Sequence, residues 1–128
     1  MSESKLEILL KTMQPVLNPQ TYVFVTVPLV SSIPDGIVGM FCEAEAHTLI
    51  LEKSRADELN LEYGTELAWI SLTVHSSLEA VGLTAAFATA LTKAGISCNV
   101  VAAFYHDHIF VPIARAEEAM QVLLALSQ

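Results

Sequence analysis

The sequence predicts an α+β fold built twice over, with antiparallel sheets and helices packed on one face. Three observations predict it. Leu67 to Leu126 reads strand, helix, strand, strand, helix. The later part of that run is echoed sixty positions earlier, where Arg55-Ala56-Asp57-Glu58 answers Arg115-Ala116-Glu117-Glu118. The alternation upstream also keeps phase: Leu49 and Leu51 fall on Ile109 and Val111, and Val38, Met40 and Cys42 fall on Cys98, Val100 and Ala102. Chance rarely preserves both a short motif and the pattern before it, so a duplicated unit is expected, residues 1–66 and 67–128.

In chain order, Ser4-Lys5-Leu6-Glu7 has the spacing of a capping box, which predicts a helix with Leu6, Leu9, Leu10 and Met13 on one face. Pro15 stops it and Asn18-Pro19 turns the chain. Thr21 to Val27 is β-branched and aromatic, hence a strand, and Pro28 ends it. Val30 to Gly36 carries a Ser pair and Pro34-Asp35-Gly36, the composition of a loop. Ile37 to Cys42 and Thr48 to Glu52 make a hairpin, Ser54 to Leu59 a short helix, and Tyr63-Gly64 closes the first half.

In the second half Ala68, Ile70, Leu72 and Val74 alternate with more polar neighbours, a strand with one apolar face. A helix follows with Leu83, Phe87, Leu91 and Ala94 on one stripe, Lys93 in its last turn and Gly95 in the left-handed stop position. Ile96 to Phe104 and His108 to Ile113 form a hairpin through Tyr105-His106-Asp107. Arg115 to Leu126 is a last helix with Ala116, Ala119, Met120 and Leu123 inward. The split β-α-β connection makes this a ferredoxin-like arrangement. Against it, the first unit lacks its crossover helix, because the gap Pro28 to Gly36 is too short to hold one. The second unit lacks a closing strand, which leaves a sheet position open to another chain and predicts a homodimer.

Composition narrows the partners. The chain has 128 residues, enough to bury about two-thirds of its unfolded surface without staples. Fourteen acidic residues oppose six basic ones, which disfavours nucleic acid and anionic membrane. No apolar run approaches the ~18–20 residues of a membrane span. Met1-Ser2-Glu3-Ser4 lacks the features of a secretory signal, so the cytoplasm is expected. Cys42 and Cys98 sit in apolar, strand-like runs and are expected to be small buried hydrophobes.

The run Ile70-Ser71-Leu72-Thr73-Val74, then Val81-Gly82-Leu83 opening an Ala-rich helix, then Leu91-Thr92-Lys93-Ala94-Gly95-Ile96-Ser97, resembles an ACT domain. The nearest likeness is to the tandem regulatory domains of aspartate kinases. Phe104-Tyr105-His106-Asp107-His108-Ile109-Phe110-Val111-Pro112 resembles small stand-alone bacterial proteins built from two such modules. One departure stands out, since ACT loops often carry Pro-Gly before the helix and Val81 here takes the Pro position.

The resemblance implies a regulatory protein that binds a small molecule, commonly an amino acid. Backbone N–H groups at Gly82 and Leu83 suit a carboxylate, since a helix start offers orphan donors and a favourable dipole. In the loop Ser76-Ser77-Leu78-Glu79, Glu79 is the candidate partner for an ammonium, and Ser76 and Ser77 supply hydroxyls. Carbonyls of Ile37 and Val38 on an edge strand would form the opposite wall. The bland alternative is that Ser76-x-x-Glu79 is an ordinary capping box and Gly82 only permits close packing.

Other chemistry finds little support. His106, His108 and, by topology, His75 gather around Asp107, yet side chains neighbouring in a turn splay apart, so no metal site is expected. Cys98 beside Asn99 has no base to activate it. No Gly-rich phosphate loop, H-E-x-x-H or paired Cys motif occurs, so neither cofactor nor catalytic residue is expected. An amino-acid sensor leads, an assembly module without a ligand follows, and a small enzyme comes third.

Overall fold

The computed structural model describes residues 5–73 and 82–128. Its elements run α1 (Leu6–Thr12), β1 (Gln14–Leu17), β2 (Tyr22–Val27), β3 (Ile37–Cys42), β4 (His47–Glu52), α2 (Lys53–Glu58), β5 (Leu67–Thr73), α3 (Leu83–Lys93), β6 (Asn99–Ala102), β7 (Asp107–Pro112) and α4 (Ala116–Ala125), with a 3-10 turn at Ile113–Arg115 before α4. The chain folds as two compact units, one of Pro19–Leu67 and one of Met1–Asn18 with Ala68–Gln128.

In the Pro19–Leu67 unit, β4 lies between β3 and β2, antiparallel to both. Tyr22 pairs with Leu67. The side chains of Val23, Val25 and Val27 meet Leu49, Leu51 and Ala56 in one buried cluster, because period-two alternation puts those strand residues on the face that α2 covers. Between β2 and β3 no helix occurs, and a register shift between Ile37 and Gly39 bends the outer strand. Cys42 does not pack inside as expected. It ends an outer strand whose residues are mostly exposed, and its side chain is exposed too.

In the other unit β7 lies beside β5, with β6 outermost. Ala68, Ile70 and Leu72 share a core with Ile109 and Val111 of β7, Leu83, Phe87 and Leu91 of α3, and Ala119 and Leu123 of α4. Truncating a wholly buried member such as Leu91 to Ala costs about 2–5 kcal/mol at sites of this kind. Gly95 adopts φ +74, and the Gly95 and Ile96 amides donate to the carbonyls of Thr92 and Leu91, a Schellman stop as the sequence predicted. Cys98 lies just before β6 and is half-buried, because β6 is shorter than the sequence suggested.

The sequence reading missed β1. Gln14, Pro15, Val16 and Leu17 pair antiparallel with Thr73, Leu72, Ser71 and Ile70. The Asn18 amide then donates to the Trp69 carbonyl at 2.9 Å. This strand takes the sheet position beside β5 that the sequence left open, and Leu9 and Met13 of α1 enter the same core. The open edge invoked for a homodimer is therefore filled by the chain's own N-terminal segment. Pro15 is tolerated because a four-residue edge strand needs few ladder donors. At the start of α1 the N-cap is Lys5, with no side-chain cap, so the helix does not begin on a Ser4 cap as the spacing suggested.

The duplication survives in atomic detail. Arg115 donates to the carbonyls of Ala94 at 3.0 Å and Gly95 at 3.2 Å, and to Glu118 at 2.8 Å. Sixty positions earlier Arg55 donates to the carbonyl of Asp35 at 3.3 Å and pairs with Glu58 at 3.6 Å. Both arginines thus clamp the backbone that leads into a hairpin's outer strand. In the first unit that backbone is the loop standing where the second has α3.

Candidate functional site

Gly82 and Leu83 open α3. Gly82 is the N-cap with φ +92, a left-handed conformation that side-chain-bearing residues rarely adopt. A Cβ there would also lie 3.3 Å from Leu6 Cδ2. Close approach to α1 and a left-handed entry together account for glycine at this point. Leu83 points its side chain into the core, so only its backbone N–H is available to a ligand. The first turn of α3 contains no acidic residue, which leaves its positive end uncompensated from within the helix. Ser76, Ser77, Leu78 and Glu79 lie outside the described residues, as does His75. Ile37 and Val38 are neighbours on β3 in the other compact unit, Ile37 against that unit's core and Val38 exposed.

The histidine turn resolves into a hydrogen-bonded network. The Trp69 indole N–H donates to His108 Nδ1 at 3.0 Å, and Ser71 Oγ lies 3.2 Å from the same nitrogen. Asn18 donates to Ser71 Oγ at 3.3 Å and to the Trp69 carbonyl at 3.1 Å. An indole can only donate, so Nδ1 is an acceptor and neutral His108 carries its proton on Nε2. Ser71 cannot be activated by a nitrogen whose lone pair already takes the indole proton, which disposes of a Ser–His nucleophile. Burial, reinforced by the His106 imidazole, holds the His108 pKa below the ordinary histidine range against the opposing pull of Asp107. Burial likewise raises Asp107, though His108 and His106 oppose it. Among the described residues no three His, Cys, Asp or Glu side chains are placed to hold a metal. The Trp69 ring stacks on Phe110 with centroids 6.1 Å apart, a packing role.

A third feature was not anticipated. An open groove of about 510 Å³ in the Pro19–Leu67 unit is lined by Phe24, Val25, Thr26, Thr48, Glu62, Tyr63 and Gly64. The only hint in the sequence was a pair of threonines, Thr26 and Thr48, which the strand register sets directly opposite each other.

Sequence models of the ACT domain match residues 1–68 and again residues 65–125. The chain belongs to the ACT-domain family, and its fold is a tandem, ferredoxin-like α+β arrangement. Among solved structures, a Vibrio cholerae protein of unknown function, described as a possible transport protein, is 46% identical. The match covers 96% of each chain with a TM-score of 0.86. The regulatory subunit of aspartate kinase from Thermus thermophilus is 12% identical, with a TM-score of 0.62 over 89% of this chain and 97% of that one. Clostridium acetobutylicum aspartate kinase is 13% identical with a TM-score of 0.65, and the match spans 91% of this chain but 34% of that enzyme. No curated protein matches the chain. Among the described residues no helix is long and apolar enough to cross a membrane.

Proposed function

We propose that this protein is a regulatory module that binds an amino acid or a similar zwitterion and has no catalytic activity of its own. The observation that carries the reading is the conjunction of two ACT-family halves with a left-handed glycine opening α3. In this reading the ligand carboxylate sits on backbone donors at Gly82 and Leu83, Glu79 neutralises the ammonium, and Ser76 and Ser77, flanking Leu78 in the same loop, supply hydroxyls. Residues 1–66 and 67–128 are the two linear copies, acting in the cytoplasm.

The test is a thermal-shift panel of the amino acids. A ligand at a hundred times its dissociation constant adds about 2.7 kcal/mol of stability. Calorimetry on Glu79→Gln follows, with an expected loss of about 1.5–3 kcal/mol for a charge-assisted hydrogen bond. Substitution at Gly82 is a poor probe, because the backbone conformation and Leu6 would penalise the fold itself. A panel with no shift, or a Glu79→Gln variant of unchanged affinity, rejects the reading.

An assembly role without a ligand is favoured by one feature, the exposed apolar residues of the outer strands: Met40 and Phe41 on β3, Val100 and Val101 on β6. A homodimer formed through such a strand is part of the proposal. Sedimentation at tens of micromolar giving a clean monomer rejects it.

A further inference from the structure

We propose that the Pro19–Leu67 unit binds a small organic cation, an alkylammonium or guanidinium of the size of a diamine, in the groove formed by β2, β4 and the segment 62–64, with Glu62 as its counter-ion. This proposal does not depend on the reading of the loop before α3.

The groove's volume, about 510 Å³, lies within the range that small-molecule sites occupy. Phe24 gives it an apolar wall suited to an alkyl chain, while the neighbouring Val25 turns its side chain into the core on the opposite face of the strand. The groove's polar groups are the hydroxyls of Thr26, Thr48 and Tyr63 and the carboxylate of Glu62, and among the described residues no Lys or Arg lines it. Two of these hydroxyls already give their protons to acids, Thr48 to Glu43 and Tyr63 to Asp57 at 2.8 Å, which leaves their oxygen lone pairs to act as acceptors. The basic residues closest in the chain are already engaged. Lys53 pairs with Glu66 at 3.8 Å, while Arg55 pairs with Asp35 at 2.7 Å and Glu58 at 3.6 Å.

Tyr63 reports the same polarity. Its hydrogen bond to Asp57, then burial, then the charges of Asp57 and Glu66 raise its phenol pKa above the ordinary value. A carboxylate or phosphate ligand would meet this field with no lysine or arginine among the described lining residues to receive it. An ammonium meets a carboxylate and hydroxyl oxygens, all of them acceptors.

The test uses the whole, uniformly 15N-labelled chain. Cadaverine, L-arginine and the uncharged isostere 1,5-pentanediol are each titrated while the amide spectrum is followed. Saturable shifts at Phe24–Thr26, Thr48 and Glu62–Gly64 are expected with a cation and not with the diol. Saturation by cadaverine marks a free diamine as the ligand type, and saturation by arginine alone marks a basic amino acid. Glu62→Gln, an exposed change that leaves the spectrum dispersed, should weaken binding about threefold or more, the scale of a solvent-exposed ion pair. Glu79→Gln should leave this titration unchanged. The proposal is overturned by no saturable shift at tens of millimolar, by the diol shifting the same amides as strongly, or by Glu62→Gln keeping full affinity. It is equally overturned if Glu79→Gln, rather than Glu62→Gln, abolishes the shifts.

Discussion

Trp69 decides which nitrogen of His108 carries the proton, because its indole N–H occupies Nδ1. Replacing Trp69 with Phe frees that lone pair, so the His108 pKa should move up toward the ordinary range, as histidine ring NMR would show. The depressed pKa gives the linkage its sign. His108 contributes stability that is fully present above its unfolded value, near 6.5, and is lost as pH falls through its lower folded value. Asp107 runs the other way: its raised pKa means stability present below about 3.8 and lost as pH rises through the folded value. Asp107→Asn should therefore raise the melting temperature at pH 7 and change it little at pH 3. A drop at pH 7 would show that the carboxylate has a favourable partner instead. None of this network could be read from the sequence. Trp69 and His108 are thirty-nine positions apart, and Asn18 reaches Ser71 only because an unforeseen strand delivers it.

At the scale of elements, the two arginine clamps differ in what they hold. Arg115 holds two carbonyls at the end of α3, whereas Arg55 holds one in a loop. Arg115→Met keeps the aliphatic stem and removes the donors, and should cost about 1–2 kcal/mol in chemical denaturation, the scale of charged hydrogen bonds reduced by the partial exposure of Arg115. Arg55→Met should cost less. Equal losses would show that the surface ion pairs, present at both positions, dominate. Most elements were legible because strong periodicity marked them: β5 alternates from Ala68 to Thr73, and α3 carries the stripe Leu83, Phe87 and Leu91 and a glycine stop. β1 was not, because four residues containing a proline give no period to detect. The groove was equally hidden, since Glu62 to Gly64 belong to no element and their meeting with Thr26 and Thr48 is set by tertiary packing.

For the molecule as a whole, the family matches divide the chain near residue 66, yet the compact units divide it differently, with residues 1–18 joining the second. A fragment of residues 67–128 loses Leu9, Met13 and the whole β1 ladder, and should be unfolded or aggregated by circular dichroism and light scattering. Attaching residues 5–18 after Gln128 through a flexible linker should restore a cooperative melt if linker length permits the Gln14–Thr73 register. A well-folded 67–128 fragment would show that β1 is dispensable.

The pairing of β1 with β5 also fixes an order of events during synthesis. Residues 14–17 leave the ribosome early, but their partners at 70–73 and the core residues up to Leu123 emerge much later. Meanwhile Pro19–Leu67 has all of its own strands and can collapse first. The segment 14–17 must wait, unpaired and partly apolar, until those later residues have emerged. Its closure is thus a long-range step that follows the collapse of the Pro19–Leu67 unit.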